Sequence, residues 1–82
     1  MATLPTPSPH GTSFATLLDD AMRATDALED ARRALHVVSP NARDYSPQQF
    51  PTAVVEWSHH YESVCAALAF VRAHAENAAD AA

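Results

Sequence analysis

Apolar side chains recur at heptad positions in two long segments of this sequence, and this repeat restricts the possible folds more than any other feature. In residues 13–38 every seam position is apolar; these are Phe14, Leu17, Ala21, Ala24, Leu28, Ala31, Leu35 and Val38. In residues 51–79 the seam is again apolar or aromatic throughout; it consists of Val54, Trp57, Tyr61, Val64, Leu68, Val71, Ala75 and Ala78. Such spacing places side chains on one face of a helix. We therefore predict two amphipathic helices, 13–38 and 51–79.

The prolines separate these helices from the rest of the chain, because all six lie at or before position 51. Proline is the residue that an α-helix interior tolerates least. Residues 1–12 contain three prolines and no periodicity, which predicts a flexible Pro-rich tail. Residues 39–50 form the connection. Helix two begins between Ser46 and Thr52: Ser46 and the residues after it have the form of a capping box, whereas Pro51 favours a later start.

Two amphipathic helices of matched length with a short connection pack antiparallel, so we predict an all-α helical hairpin. Phe70 and Ala67 lie outside the seam and widen the apolar face of helix two beyond what one neighbour covers. A chain of 82 residues buries a small core, and its single cysteine, Cys65, rules out an intrachain disulfide. We expect dimerisation into a four-helix bundle, or a protein partner, to complete the hairpin.

The expected partner interface lies on helix two and consists of Trp57, Tyr61, Val64, Ala67, Leu68, Phe70, Val71 and His74. The leading hypothesis is a small non-enzymatic interaction or regulatory module that self-associates or binds a partner through this face, with no catalytic residue and no cofactor. His60 and His74 fall on one line of the helix, so protonation near the ordinary histidine pKa of ~6.5 would weaken association below about pH 6.

A second hypothesis rests on a cluster of metal-ligating side chains in helix two. Glu56 and His59 have the i, i+3 spacing that di-iron bundles use, and His60 flanks the seam beside Glu56. Glu56-x-x-His59 resembles the motif of the encapsulated ferritins, two-helix proteins whose iron sites form between subunits; the resemblance covers these two residues and assigns no family. The second hypothesis is therefore a metal-binding, ferroxidase-like bundle that uses Glu56 with His59 or His60 between subunits.

The charge pattern argues against several classes of partner. Ten acidic residues oppose five arginines without any lysine, for a net charge of −5, so nucleic acid and anionic membranes are not expected partners. On helix one, Asp19–Arg23 and Glu29–Arg33 are spaced as i, i+4 ion pairs. Residues 1–20 lack a secretory pattern and no apolar run approaches about eighteen residues, so we expect a soluble cytoplasmic protein.

Overall fold

The computed structural model describes residues 2–6 and 10–81, and the secondary structure within these ranges is entirely helical. Helix α1 comprises Phe14–Val37, a short 3-10 helix comprises Ala42–Asp44, and helix α2 comprises Phe50–Ala81. Helices α1 and α2 pack against each other. The predicted all-α helical hairpin is therefore confirmed.

Local hydrogen bonds set the two ends of α1. The N–H of Thr16 donates to Oγ of Ser13 at 3.2 Å, so the Ser13 side chain satisfies one of the unpaired donors of the first turn. At the other end, the N–H of Ser39 donates to the carbonyl of His36 at 3.2 Å. Pro40 follows immediately and cannot continue the helix, because it has no N–H to donate.

The start of α2 uses both signals that the sequence offers. The N–H of Gln49 donates to Oγ of Ser46 at 3.2 Å, and the N–H of Phe50 donates to the Ser46 carbonyl at 3.0 Å. Residues 47–49 thus form a turn that leads directly into α2 at Phe50. Pro51 lies in the first helical turn, where its missing N–H would have no intrahelical partner.

Side-chain contacts near the connection show that the helices run antiparallel. Nε1 of Trp57 donates to the carbonyl of Leu35 at 2.8 Å, and Nη1 of Arg32 donates to Oη of Tyr61 at 3.4 Å. A step towards the start of α1 therefore accompanies a step towards the end of α2. This hydrogen bond from Trp57 also satisfies the Leu35 carbonyl, which lies in the last turn of α1, where carbonyl groups have no N–H partner within the helix.

The core between the helices is thin. Among the described residues the buried apolar side chains are Ala21, Leu68 and Ala78. Most other seam residues are half-buried, whereas Ala31 and Val38 of the predicted heptad are exposed. An α-helix drifts by ~20° per heptad relative to a strict seven-residue repeat, and this drift turns the last seam positions outward. His36 instead approaches the partner helix, with its ring centroid 6.4 Å from that of Trp57.

Candidate interaction surface

The second half of α2 is apolar around almost its whole circumference. Between residues 64 and 75 the polar side chains are Arg72 and His74, and the remaining ten positions carry alanine, cysteine or larger apolar groups. A helix that is apolar on all sides is stable in water only when neighbours cover more than one of its faces. Helix α1 supplies one such neighbour.

The α1-facing side of α2 accounts for five of the eight residues predicted for a partner interface. Leu68 is only 3% exposed, and Trp57, Tyr61, Val64 and Val71 are half-buried on the same side. The rings of Trp57 and Tyr61 stack with centroids 4.7 Å apart. These side chains build the hairpin, so a second chain reaches them only at their edges.

The opposite side of α2 carries an apolar surface that α1 does not cover, which we call the α2 patch: Ala66, Ala69, Phe70 and Ala73. These four residues line an open groove of about 430 Å³. Phe70 is 51% exposed, and its ring centroid lies 4.6 Å from that of His74. Ala67, also predicted for the interface, is exposed beside the patch.

Residues 2–6, which we call the strap, lie against the same half of α2. Nδ2 of Asn77 donates to the carbonyl of Pro5 at 3.2 Å across 72 residues of sequence. Pro5 is half-buried in a groove of about 240 Å³ that it shares with Leu17 and Val71, and Ala2 is half-buried beside the α2 patch. The strap belongs to the predicted flexible tail, of which positions 1 and 7–9 lie outside the described residues.

An ion-pair cluster joins the helices at the edge of the seam. Glu29 accepts from Nη2 of Arg32 at 2.8 Å and also from Arg72 of α2. The hydrogen bond from Arg32, followed by the charges of both arginines, lowers the pKa of the Glu29 carboxyl, although partial burial opposes this. The same contact, with Tyr61, raises the pKa of Arg32.

The predicted ion pairs on α1 are therefore half correct. Arg23 contacts Asp19 at 2.9 Å as expected. Arg33 instead pairs with Asp30 at 3.3 Å, because Glu29 turns inward to bridge the two helices. The heptad drift that brings Arg32 towards the seam explains this exchange of partners.

The predicted metal ligands do not form a complete site within one chain. Glu56, His59 and His60 are all exposed. Glu56 and His60 line an open groove of about 610 Å³ near the connection, together with Trp57 and Tyr45, whereas His59 does not line it. Across the described ranges, no three histidine, cysteine or acidic side chains come together in a way that could hold a metal ion.

The two histidines expected to share a pH-sensitive line have different surroundings. His60 is exposed at the groove near the connection. His74 is half-buried between Phe70 and the strap, and its Nε2 is buried without a hydrogen bond to any part of the chain that is described. The loss of association below about pH 6, expected from His60 and His74 together, stays a prediction.

No family model, curated protein or solved structure shows significant similarity to this chain. Within the described ranges, neither α1 nor α2 carries an apolar stretch sufficient to cross a bilayer.

Proposed function

We propose that this chain is a non-enzymatic interaction module that pairs with a second copy of itself through the α2 patch. Two hairpins would bring four helices together, with the two α2 helices in the centre. The observation that carries the proposal is Phe70, an aromatic side chain 51% exposed in a helical section that is apolar on nearly every side. Full burial of a phenylalanine side chain is worth roughly 1.5–3 kcal/mol, so burial of the exposed half of Phe70 would stabilise a complex by about half of that for each copy.

The surface area of the chain supports the need for a partner. A compact monomer of 8.8 kDa is expected to expose about 4,800 Å². This chain exposes 5999 Å². The excess of about 1,200 Å² is larger than the ~800 Å² that each partner contributes to a standard interface.

The shape of the hairpin supports the same conclusion. Its dimensions are 59 × 21 × 17 Å and its Cα radius of gyration is 17.6 Å. A compact domain of this length would have a radius of gyration of about 12 Å. A rod only two helices wide buries a single strip, and a second rod packed along its side would double the number of covered helix faces.

A second copy is favoured as the occupant because the α2 patch is self-complementary. One bulky side chain, Phe70, lies among three alanines at the i, i+3, i+4, i+7 spacing of one helix face. In an antiparallel two-fold pairing, the same patch meets itself, and each Phe70 ring would cover the alanines of the other copy. Small side chains allow the close approach that this arrangement needs.

The residues that flank the patch fit this pairing in charge. A two-fold axis between Ala69 and Phe70 would bring His59 of one copy near Asp80 of the other. Both side chains are exposed on the outer side of α2 in the single chain. Complementary polar groups at the two ends of the contact would favour this alignment of the two α2 helices over others.

The test is the solution mass of the chain, measured by sedimentation equilibrium from low micromolar to millimolar concentration. We expect a monomer–dimer equilibrium in which Phe70→Asp raises the dissociation constant at least about a hundredfold, because two carboxylates would face each other in an apolar contact. The matched control is Val55→Asp, which adds the same charge to α2 at a 68% exposed apolar residue outside the patch.

The control variant should keep the dissociation constant within about threefold of wild type. Circular dichroism should show equal helix content for wild type and both variants. A chain that stays monomeric up to millimolar concentration, both as wild type and with the strap released from α2, contradicts the proposal. So does a Phe70→Asp variant that dimerises as tightly as the Val55→Asp variant.

A further inference from the structure

We infer that the strap is an intrachain competitor for the α2 patch, so that the chain regulates its own dimerisation. The inference rests on the proposed function, since it concerns what controls access to the same surface. In the closed state the strap lies on α2; in the open state it leaves α2 and a second copy takes its place.

The contacts of Pro5 fix the strap beside the patch. Its carbonyl accepts the hydrogen bond from Asn77 at 3.2 Å, and its ring lies in the groove with Phe70 and His74. That groove also includes Leu17 of α1, so the ring sits where the two helices meet. The strap is therefore held at a defined position on the hairpin.

Ala2 places the other end of the strap at the edge of the patch. It is half-buried and lines the same open groove as Ala66, Ala69, Phe70 and Ala73. The remaining strap side chains, Thr3, Leu4 and Thr6, are exposed. A second α2 helix that fills this groove would have to displace Ala2, and the strap with it.

The strap is held weakly enough to be displaced. A single hydrogen bond from α2 and two inward-facing residues hold it, as far as the described residues show. The free energy needed to open a segment with so few buried contacts is a small fraction of the free energy of global unfolding. Closing is favoured because the strap is tethered to its site, which gives it an effective concentration of order millimolar.

Competition of this kind has a quantitative signature. Both copies must open before they pair, so the apparent dissociation constant of the dimer rises with the square of the closed-to-open ratio. A strap that is closed tenfold more often than it is open would weaken dimerisation about a hundredfold. Release of the strap should therefore tighten the dimer.

The experiment is sedimentation equilibrium of the full chain with Pro5→Asp, which places a carboxylate beside Asp20 in a groove otherwise lined mainly by apolar side chains, and so expels the strap. We expect the dissociation constant to fall at least about tenfold. The matched control is Thr3→Asp, which adds the same charge at an exposed residue of the strap and should stay within about twofold of wild type. Added negative charge by itself would raise the dissociation constant, because each chain already carries a net charge of −5 and two copies repel each other.

A second measurement observes the closed state directly. In dilute wild-type protein, nuclear Overhauser effects should connect the Pro5 ring protons to the rings of Phe70 and His74, and the Ala2 methyl group to the Phe70 ring. The effects between Ala2 and Phe70 should disappear in Pro5→Asp. Absence of these effects in the wild-type monomer overturns the inference. So does a Pro5→Asp dissociation constant equal to that of Thr3→Asp.

These results separate the inference from the proposed function. If Pro5→Asp has no effect while Phe70→Asp still dissociates the dimer, the strap does not regulate and the interaction module stands. If wild type, Pro5→Asp and Thr3→Asp all remain monomeric up to millimolar concentration, self-association through the patch is refuted, and regulation by the strap falls with it.

Discussion

Replacement of Leu68 by alanine tests whether the hairpin depends on its thin core. Leu68 is 3% exposed and is the largest of the buried side chains in the described part of the chain. Leu→Ala removes three carbon groups at ~0.8 kcal/mol each, or about 2.4 kcal/mol of transfer free energy. Few side chains around it are fully buried, so the surroundings can relax and the added cavity penalty should be small.

We therefore expect Leu68→Ala to lower the free energy of unfolding by about 2.5 kcal/mol. A chain of this length has a total stability of roughly 4–12 kcal/mol, so the variant should lose between about a fifth and about three-fifths of it. The corresponding fall in Tm is of order 10–20 °C for a domain of this size. The matched control is Val55→Ala, which truncates a 68% exposed side chain on the same helix and should change stability by less than about 0.5 kcal/mol.

The assay is urea unfolding followed by circular dichroism, at two protein concentrations that differ tenfold. Two concentrations are needed because the proposed dimerisation would add to the apparent stability and make the midpoint depend on concentration. A loss below about 1 kcal/mol for Leu68→Ala would refute the reasoning, because it would mean that the contact between α1 and α2 does not limit folding. A loss above about 4 kcal/mol would mean that Leu68 is packed more tightly than a two-helix seam allows.

Two further variants test the polar contacts between the helices. Trp57→Phe keeps an aromatic ring beside Tyr61 but removes the donor to the Leu35 carbonyl, so urea unfolding should show a loss of about 1 kcal/mol, and an unchanged midpoint would contradict this role. Glu29→Gln removes the carboxylate shared by Arg32 and Arg72. Because the folded-state pKa of Glu29 lies below its ordinary value of 4.5, the wild-type advantage is present above that pH and is lost as pH falls through the lowered pKa. Melting curves of wild type and Glu29→Gln should therefore differ at neutral pH and converge well below pH 4.5, and a constant difference would refute the assignment.

The sequence was sufficient to predict the helices and their antiparallel packing. Heptad spacing decides which face of a helix is apolar, and proline decides where a helix stops, so both signals are local. The exposed half of Phe70 was also predictable, because its position lies outside the α2 seam whatever the details of packing. Ser46 and Pro51 gave competing signals for the start of α2, and the structure uses both within one turn.

What the sequence did not predict depends on small rotations and on distant contacts. The drift of α1 exposes Ala31 and turns Arg32 inward, and this change redirects Glu29 away from Arg33. A strict seven-residue repeat takes no account of this rotation, so it could not predict which side chains at the end of α1 face α2. The position of the strap was missed because residues 1–12 have no periodicity, and a contact between Pro5 and a residue 72 positions away leaves no local signature.

The topology of the hairpin explains why the strap and a second copy would compete at the same place. In an antiparallel pair the start of α1 lies beside the end of α2, so the chain that precedes α1 is delivered to the second half of α2. The outer side of α2 carries Glu56, His59 and Glu62 beside the exposed Val55 in its first half, and a continuous apolar surface forms only beyond residue 64. The half of α2 that needs a cover is thus the half that the strap can reach. The strap belongs to the same chain, so it would cover this surface in dilute solution, whereas a second copy would cover it at high concentration. The same apolar surface would therefore make the chain a monomer or a dimer according to its concentration.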